Sequence, residues 1–82
     1  MGKFFVYCLY SETFDRLYIG QTDNIERRYK QHQSGYVLST RRYLPYRLLY
    51  FEEMPDRASA IRREKELKVT KGRKFLRKFI DK

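Results

Sequence analysis

Two short runs rich in aromatic and β-branched residues, Phe4 to Tyr10 and Asp15 to Gly20, stand only four residues apart near the start of the chain. This spacing narrows the possible folds more than any other feature. A parallel pair needs a crossover of a dozen or more residues, so a connection of Ser11-Glu12-Thr13-Phe14 leaves only an antiparallel hairpin. A turn symmetric about Glu12-Thr13 pairs position 10 with 15, and therefore Tyr7 with Tyr18. Directly opposed side chains share a face, with Cβ atoms about 4.5–5.5 Å apart.

Helical signals follow the hairpin. Asp23 and Glu26 have the spacing of a capping box, with Asp in the Ser/Thr place. They predict a helix over about 24–33, ended by Ser34-Gly35 with Gly35 just beyond its last turn. Ile25, Arg28, Tyr29 and His32 fall on its inward stripe. Residues 36–45 read as a long loop and residues 46–52 as a third strand. Pro55-Asp56 opens a second helix, capped by Asp56 and running to about Lys68. Its stripe is Ala60, Ile61, Glu64 and Leu67. Thr70 can cap a last helix over about 70–81, with Phe75, Leu76, Phe79 and Ile80 inward and Lys71, Arg73, Lys74, Arg77 and Lys78 outward. The order is β-β-α-β-α-α. With 82 residues there is room for one core. The expectation is a single small α/β (α+β type) domain over 1–82, a three-stranded antiparallel sheet flanked by three helices.

An apolar content of 41% supports a packed core and excludes global disorder. No apolar run is long enough for a transmembrane helix, and the N-terminus lacks a signal-peptide pattern. The single Cys8 allows no internal disulfide and no cysteine-based zinc site, so a reducing cytoplasm is the expected compartment. Charge is uneven. The net +9 divides into +1 for residues 1–40 and +8 for residues 41–82. Self-repulsion of this kind points to a polyanion, with nucleic acid ahead of an anionic membrane, against the plainer reading of a Lys-rich solvated surface.

Four residues sit uneasily on apolar stripes. Tyr7 and Tyr18 are either an aromatic cross-strand pair or a functional pair. Arg28 is a snorkelling side chain or a ligand-binding cation. Glu64 is the one ionised member of its stripe. It is a salt-bridge partner, or the carboxylate of a divalent cation that keeps most of its waters. His32, the sole histidine, is structural or a proton carrier, and one histidine cannot build a three-ligand zinc site. Cys8, in an apolar strand, reads as a small buried hydrophobe. The chain has no P-loop, dinucleotide fingerprint, nucleophile elbow or zinc-ligand spacing.

Taken in order, these residues resemble the GIY-YIG nuclease domain. Phe5-Val6-Tyr7 stands where the GIY triplet would be, with Phe in place of its glycine, and Tyr18-Ile19-Gly20 is an intact YIG. Thr22 to Arg28 resembles the T-x-N-x-x-x-R stretch, and His32 stands at a histidine common just after it. Gly35, Thr40, Pro45 and Glu52-Glu53 also match small stand-alone members. Ala60 to Lys68 resembles the A-x-x-x-E-x-x-L-K helix. The likeness spans residues 4–68 and leaves the basic C-terminal helix outside it. It implies an endonuclease that hydrolyses phosphodiesters, DNA ahead of RNA, with Mg²⁺ or Mn²⁺ and no small-molecule cofactor. Glu64 would hold the metal, Arg28 the phosphate, and Tyr7 or Tyr18 would take the proton from water, with His32 as a relay. Arg41, Arg42, Lys71, Arg73, Lys74, Arg77 and Lys78 would hold backbone phosphates. Tyr7, Tyr18, Arg28 and Glu64 should then meet on one concave surface. A binding module without turnover, or a protein-interaction domain, are the alternatives.

Overall fold

The computed structural model describes residues 3–80. Strands β1 (Phe4–Ser11) and β2 (Arg16–Thr22) form the hairpin, followed by helices α1 (Ile25–Gln33) and α2 (Leu38–Arg41). Strand β3 (Arg47–Met54) and helices α3 (Arg57–Lys68) and α4 (Thr70–Arg77) complete the order. The sheet is antiparallel with strand order β2-β1-β3, so β1 is central and both its neighbours are edges.

Side chains alternate across β1, and each face gathers its own helices. Val6, Cys8 and Ile19 pack with Ala60, Leu67 and Leu76 beneath α3 and α4. Tyr7, Leu9 and Tyr46 pack with Tyr18, Ile25 and Tyr29 beneath α1.

The hairpin register differs from the symmetric-turn expectation. Tyr7 pairs with Gly20, and Tyr18 pairs with Leu9. Asp15 does not enter β2. It closes the loop in the left-handed region at φ 52°, a conformation Asp tolerates, and accepts a hydrogen bond from the Tyr10 hydroxyl at 2.7 Å. The slip is two residues, so every side chain keeps its expected face and both tyrosines remain on the α1 side.

Helix ends also differ from expectation. Asn24, not Asp23, caps α1, its side chain accepting from the Arg27 N–H at 2.9 Å, while Asp23 is ion-paired to the Arg27 guanidinium. Asp56 caps α3 as expected, accepting from Ser59 N–H at 2.8 Å. Thr70 does not cap α4. It is that helix's first residue, and Val69 serves as the end of α3 and the start of α4 with no side-chain bond. Helix α4 ends at Arg77 rather than near 81, a position outside the described residues. The segment 36–45 is not wholly loop, because α2 forms within it. Ile61 is exposed rather than part of the α3 core stripe. Among the described residues, no helix is long and apolar enough to cross a membrane.

Leu67 is 1% exposed where α3, α4 and the sheet meet. Leu67→Ala should cost about 2–5 kcal/mol, read as a lowered denaturant midpoint with unchanged slope. A loss below about 1 kcal/mol would show that this face collapses around the gap.

Candidate active site

The site begins with a missing side chain. A Cβ on Gly20 would stand 2.8 Å from the Tyr7 hydroxyl and 3.2 Å from the Tyr18 ring. The phenol of Tyr7 lies across the neighbouring strand at this point, and only a glycine leaves room for it. That approach carries the hydroxyl to α1, where it lies 2.9 Å from Nε2 of His32. Tyr18 completes the group, its ring centroid 4.9 Å from the imidazole and 6.2 Å from the Tyr7 ring.

His32 is 0% exposed and both ring nitrogens are engaged. Nδ1 lies 2.8 Å from the Thr40 hydroxyl, and that hydroxyl donates to the Val37 carbonyl at 3.3 Å. A threonine has one hydroxyl proton. With it spent on Val37, the proton between Thr40 and His32 must belong to Nδ1. Nε2 is then the acceptor, and Tyr7 donates to it. Helix α2 is what delivers Thr40, itself 1% exposed.

Both ends of the Tyr7–His32 bond are uncharged. Burial, then the charge of Arg28, brings the His32 pKa down to about 4, so the imidazole is neutral at pH 7. Burial pushes the Tyr7 phenol up to about 12, although the Arg28 guanidinium beside it pulls the other way.

Arg28 is half-buried, and its Nη1 donates to Gln31 Oε1 at 3.0 Å. Among the described residues, no carboxylate pairs with it. It opens on a cleft of about 400 Å³ lined also by Phe4, Gln21, Thr22, Gln31, Arg57 and the ion-paired Asp23 and Arg27. Sequence reasoning missed Arg57, Gln31, the role of Thr40 and the packing demand at Gly20. Arg57 merely follows a capping Asp, and a lone Thr in an expected loop carries no periodic signal.

Glu64 comes from another element and is bonded to none of these side chains. Its helix packs on the other face of the sheet, and its carboxylate pairs with Lys68 Nζ at 2.6 Å. The partner stands one turn further along the same helix. Helix geometry still places Glu64 on a definite flank. Ala60 and Leu67 face the core, and Arg63 on one side of that stripe reaches Glu52 of β3 at 2.8 Å. Glu64, about 100° further round, lies on the opposite flank, towards edge strand β2. Tyr18 and Gly20 belong to that strand. Among the described residues there is no cluster of three or more His, Cys, Asp or Glu suited to a metal.

The basic residues are divided in the same way. Arg41 and Arg42 are exposed at the end of α2, on the α1 side. Lys71, Arg73, Lys74, Arg77 and Lys78 are exposed on or just after α4, on the α3 side. Arg77 is held by Asp15 at 2.8 Å and Arg73 by the Lys68 carbonyl at 2.9 Å.

His32 should therefore carry its proton on Nδ1 and show no titration near its unfolded value of about 6.5. A histidine charged less easily when folded stabilises the fold least at low pH. Stability should be complete above about pH 6.5 and fall by up to about 3 kcal/mol as pH drops towards 4. Nitrogen-15 NMR and denaturation at several pH values read both effects. Thr40→Val should abolish the tautomer preference and Thr40→Ser keep it. An imidazole titrating near 6.5 would refute the buried relay.

With this geometry in hand, comparison with known proteins gives one consistent answer. The GIY-YIG catalytic domain profile matches residues 3–78. A UPF0213 protein of Haloquadratum walsbyi is 38% identical over 55 residues, covering 66% of this chain and 62% of that protein. The match thus spans less than two thirds of that curated relative's length. The solution NMR structure of a UPF0213 protein from Bacillus halodurans is similar at a TM-score of 0.56 and 30% identity, covering 95% of this chain and 85% of that one. The chain belongs to the GIY-YIG catalytic domain family, a nuclease-type family.

Proposed function

We propose that this chain is a divalent-metal-dependent endonuclease hydrolysing phosphodiester bonds in DNA. The observation that carries the reading is Arg28, a half-buried cation without a carboxylate partner, beside a phenol whose proton is aimed at a neutral imidazole. Arg28 would bind the non-bridging oxygens of the scissile phosphate and stabilise the charge that develops on them. As water attacks phosphorus, its proton passes to the Tyr7 oxygen while the proton of Tyr7 passes to Nε2 of His32. The 3′ oxygen leaves, and the imidazolium remains oriented by Thr40. Tyr18, its ring tilted against the imidazole, is the second phenol that could meet the water. Tyr7→Phe removes the relay and Tyr18→Phe leaves it intact, so their rates separate the two roles.

Glu64 would hold Mg²⁺ or Mn²⁺. A single hard carboxylate oxygen fits an ion that keeps its waters and draws further oxygens from the substrate, and the exposed Lys68 can swing away. Such an ion, when bound, neutralises phosphate charge and acts as a Lewis acid. Arg41 and Arg42 would hold backbone phosphates on one side, and Lys71, Arg73, Lys74, Arg77 and Lys78 on the other, without reading sequence. A reducing cytoplasm suits the fully buried Cys8 thiol.

A second reading, a nucleic-acid-binding module without turnover, is favoured by the placement of Glu64's helix on the far face. Glu64→Gln decides between them. In the enzyme, cleavage of DNA with Mg²⁺ or Mn²⁺ should collapse while binding persists or tightens. Melting should barely move, because the Lys68 end of the pair is exposed and an i,i+4 helix pair contributes about 0.3–0.5 kcal/mol. A wild-type protein that binds DNA yet cuts nothing with either metal leaves the binding module standing. Absence of binding at low salt removes both readings.

A further inference from the structure

We infer that Tyr36 is a stacking platform for an unpaired base, and so that the substrate presents a single-stranded or frayed nucleotide beside the Arg28 cleft. This deepens the nucleic-acid reading above and rests on it.

The end of α1 supplies the argument. Gly35, at φ +80°, donates to the His32 carbonyl, and Tyr36 N–H donates to the Gln31 carbonyl, each at 3.1 Å. In this helix ending the residue at Tyr36's position ordinarily packs an apolar side chain on the residue at Gln31's position. Here Gln31 is polar and its Oε1 accepts from Arg28. No apolar partner stands at that position. Tyr36 is 74% exposed, the highest value among the exposed large apolar side chains described. Its backbone is nonetheless pinned by the two hydrogen bonds.

The ring borders a hollow of about 380 Å³ shared with Arg27, Lys30, Gln31 and Ser34. Arg27 and Gln31 also line the Arg28 cleft, so the two depressions adjoin along α1. From Arg28 to Ser34 is about 9 Å along the helix, close enough for neighbouring nucleotides of one strand to occupy both. Arg27 is already paired with Asp23, whereas Lys30 has no carboxylate partner among the described residues. Cations around an aromatic ring, adjoining the Arg28 cleft of about 400 Å³, suit a nucleotide strand. Any base offers a π-face to such a ring, but in an intact duplex both faces are covered by neighbouring bases.

Fluorescence anisotropy in chelator, where nothing is cut, tests this with three probes: a single-stranded oligonucleotide, the same strand with abasic positions, and a blunt two-stranded duplex without a loop. Stacking contributes about 1–3 kcal/mol per base, so Tyr36→Ala should weaken single-strand binding about tenfold or more. It should leave the duplex and abasic probes within about twofold, and Tyr36→Phe should bind like wild type; circular dichroism verifies folding. Equal losses on all probes, no loss on any, or a wild type that binds no single strand at low salt would overturn the inference. A wild type that binds through Tyr36 but never cuts with Mg²⁺ or Mn²⁺ defeats the endonuclease reading alone.

Discussion

The hydrogen bond from Tyr7 to His32 is the interaction on which the arrangement of this domain turns. It leaves the central strand, passes over Gly20 of the edge strand and ends on a helix, so three elements must be in register for it to form. It also recruits a fourth, because the far nitrogen of the same imidazole needs Thr40 from α2. A polar chain this deep is tolerable only when complete. A buried donor left without its acceptor costs about 1–3 kcal/mol, and here no buried side-chain polar atom among the described residues lacks a partner. The same bonds that complete the interior also aim the phenol's proton.

The twofold alternation of β1 keeps this polar chain apart from the apolar core. Val6 and Cys8 face a dry layer under α3 and α4, whereas Tyr7 and Leu9 face the layer that holds the relay. Ion pairs reinforce the dry layer from outside. The Arg63 guanidinium grips Glu52 of β3 through Nε and Nη2 and reaches Glu66 through Nη1. That grip lowers the Glu52 carboxyl below its ordinary range. Strand β2 is an edge, with Tyr18 and Gly20 on the relay face and helix α3 packed against the other. A substrate that touched both Arg28 and Glu64 would have to wrap that edge.

Much of this was legible in the sequence, and the misses have physical causes. The two strands and the long amphipathic helices declared themselves because their periods are set by burial. Tyr7, Tyr18, Arg28 and His32 stood out because they were polar at positions that burial claimed. Register was misjudged because it hung on one residue, Asp15, adopting a left-handed conformation that Asp tolerates but does not advertise. The α1 cap moved by one because Asp23 and Asn24 are both good caps, and the Arg27 guanidinium took the carboxylate. Helix α2 is four residues long with Leu38 exposed, too short for any period. It is fixed by what Thr40 must reach, information that lies 8 residues away in His32.

Net charge alone would not have located the site. Among the described residues, seven ion pairs tie up seven acidic side chains and six cations, Arg63 serving two carboxylates. Other arginines find aromatic faces, Arg16 lying 4.2 Å and Arg42 5.7 Å from the Tyr43 ring centroid. What distinguishes Arg28 is that it is drawn inward and met only by neutral groups, where a cation is least well compensated. Its field is one of the two causes that keep His32 from accepting a proton. An anion seated on Arg28 would cancel that field and make the imidazole more basic at the moment a phosphate arrives. Burial, the larger cause, would remain, so neutralising the guanidinium relieves only part of what holds His32 uncharged.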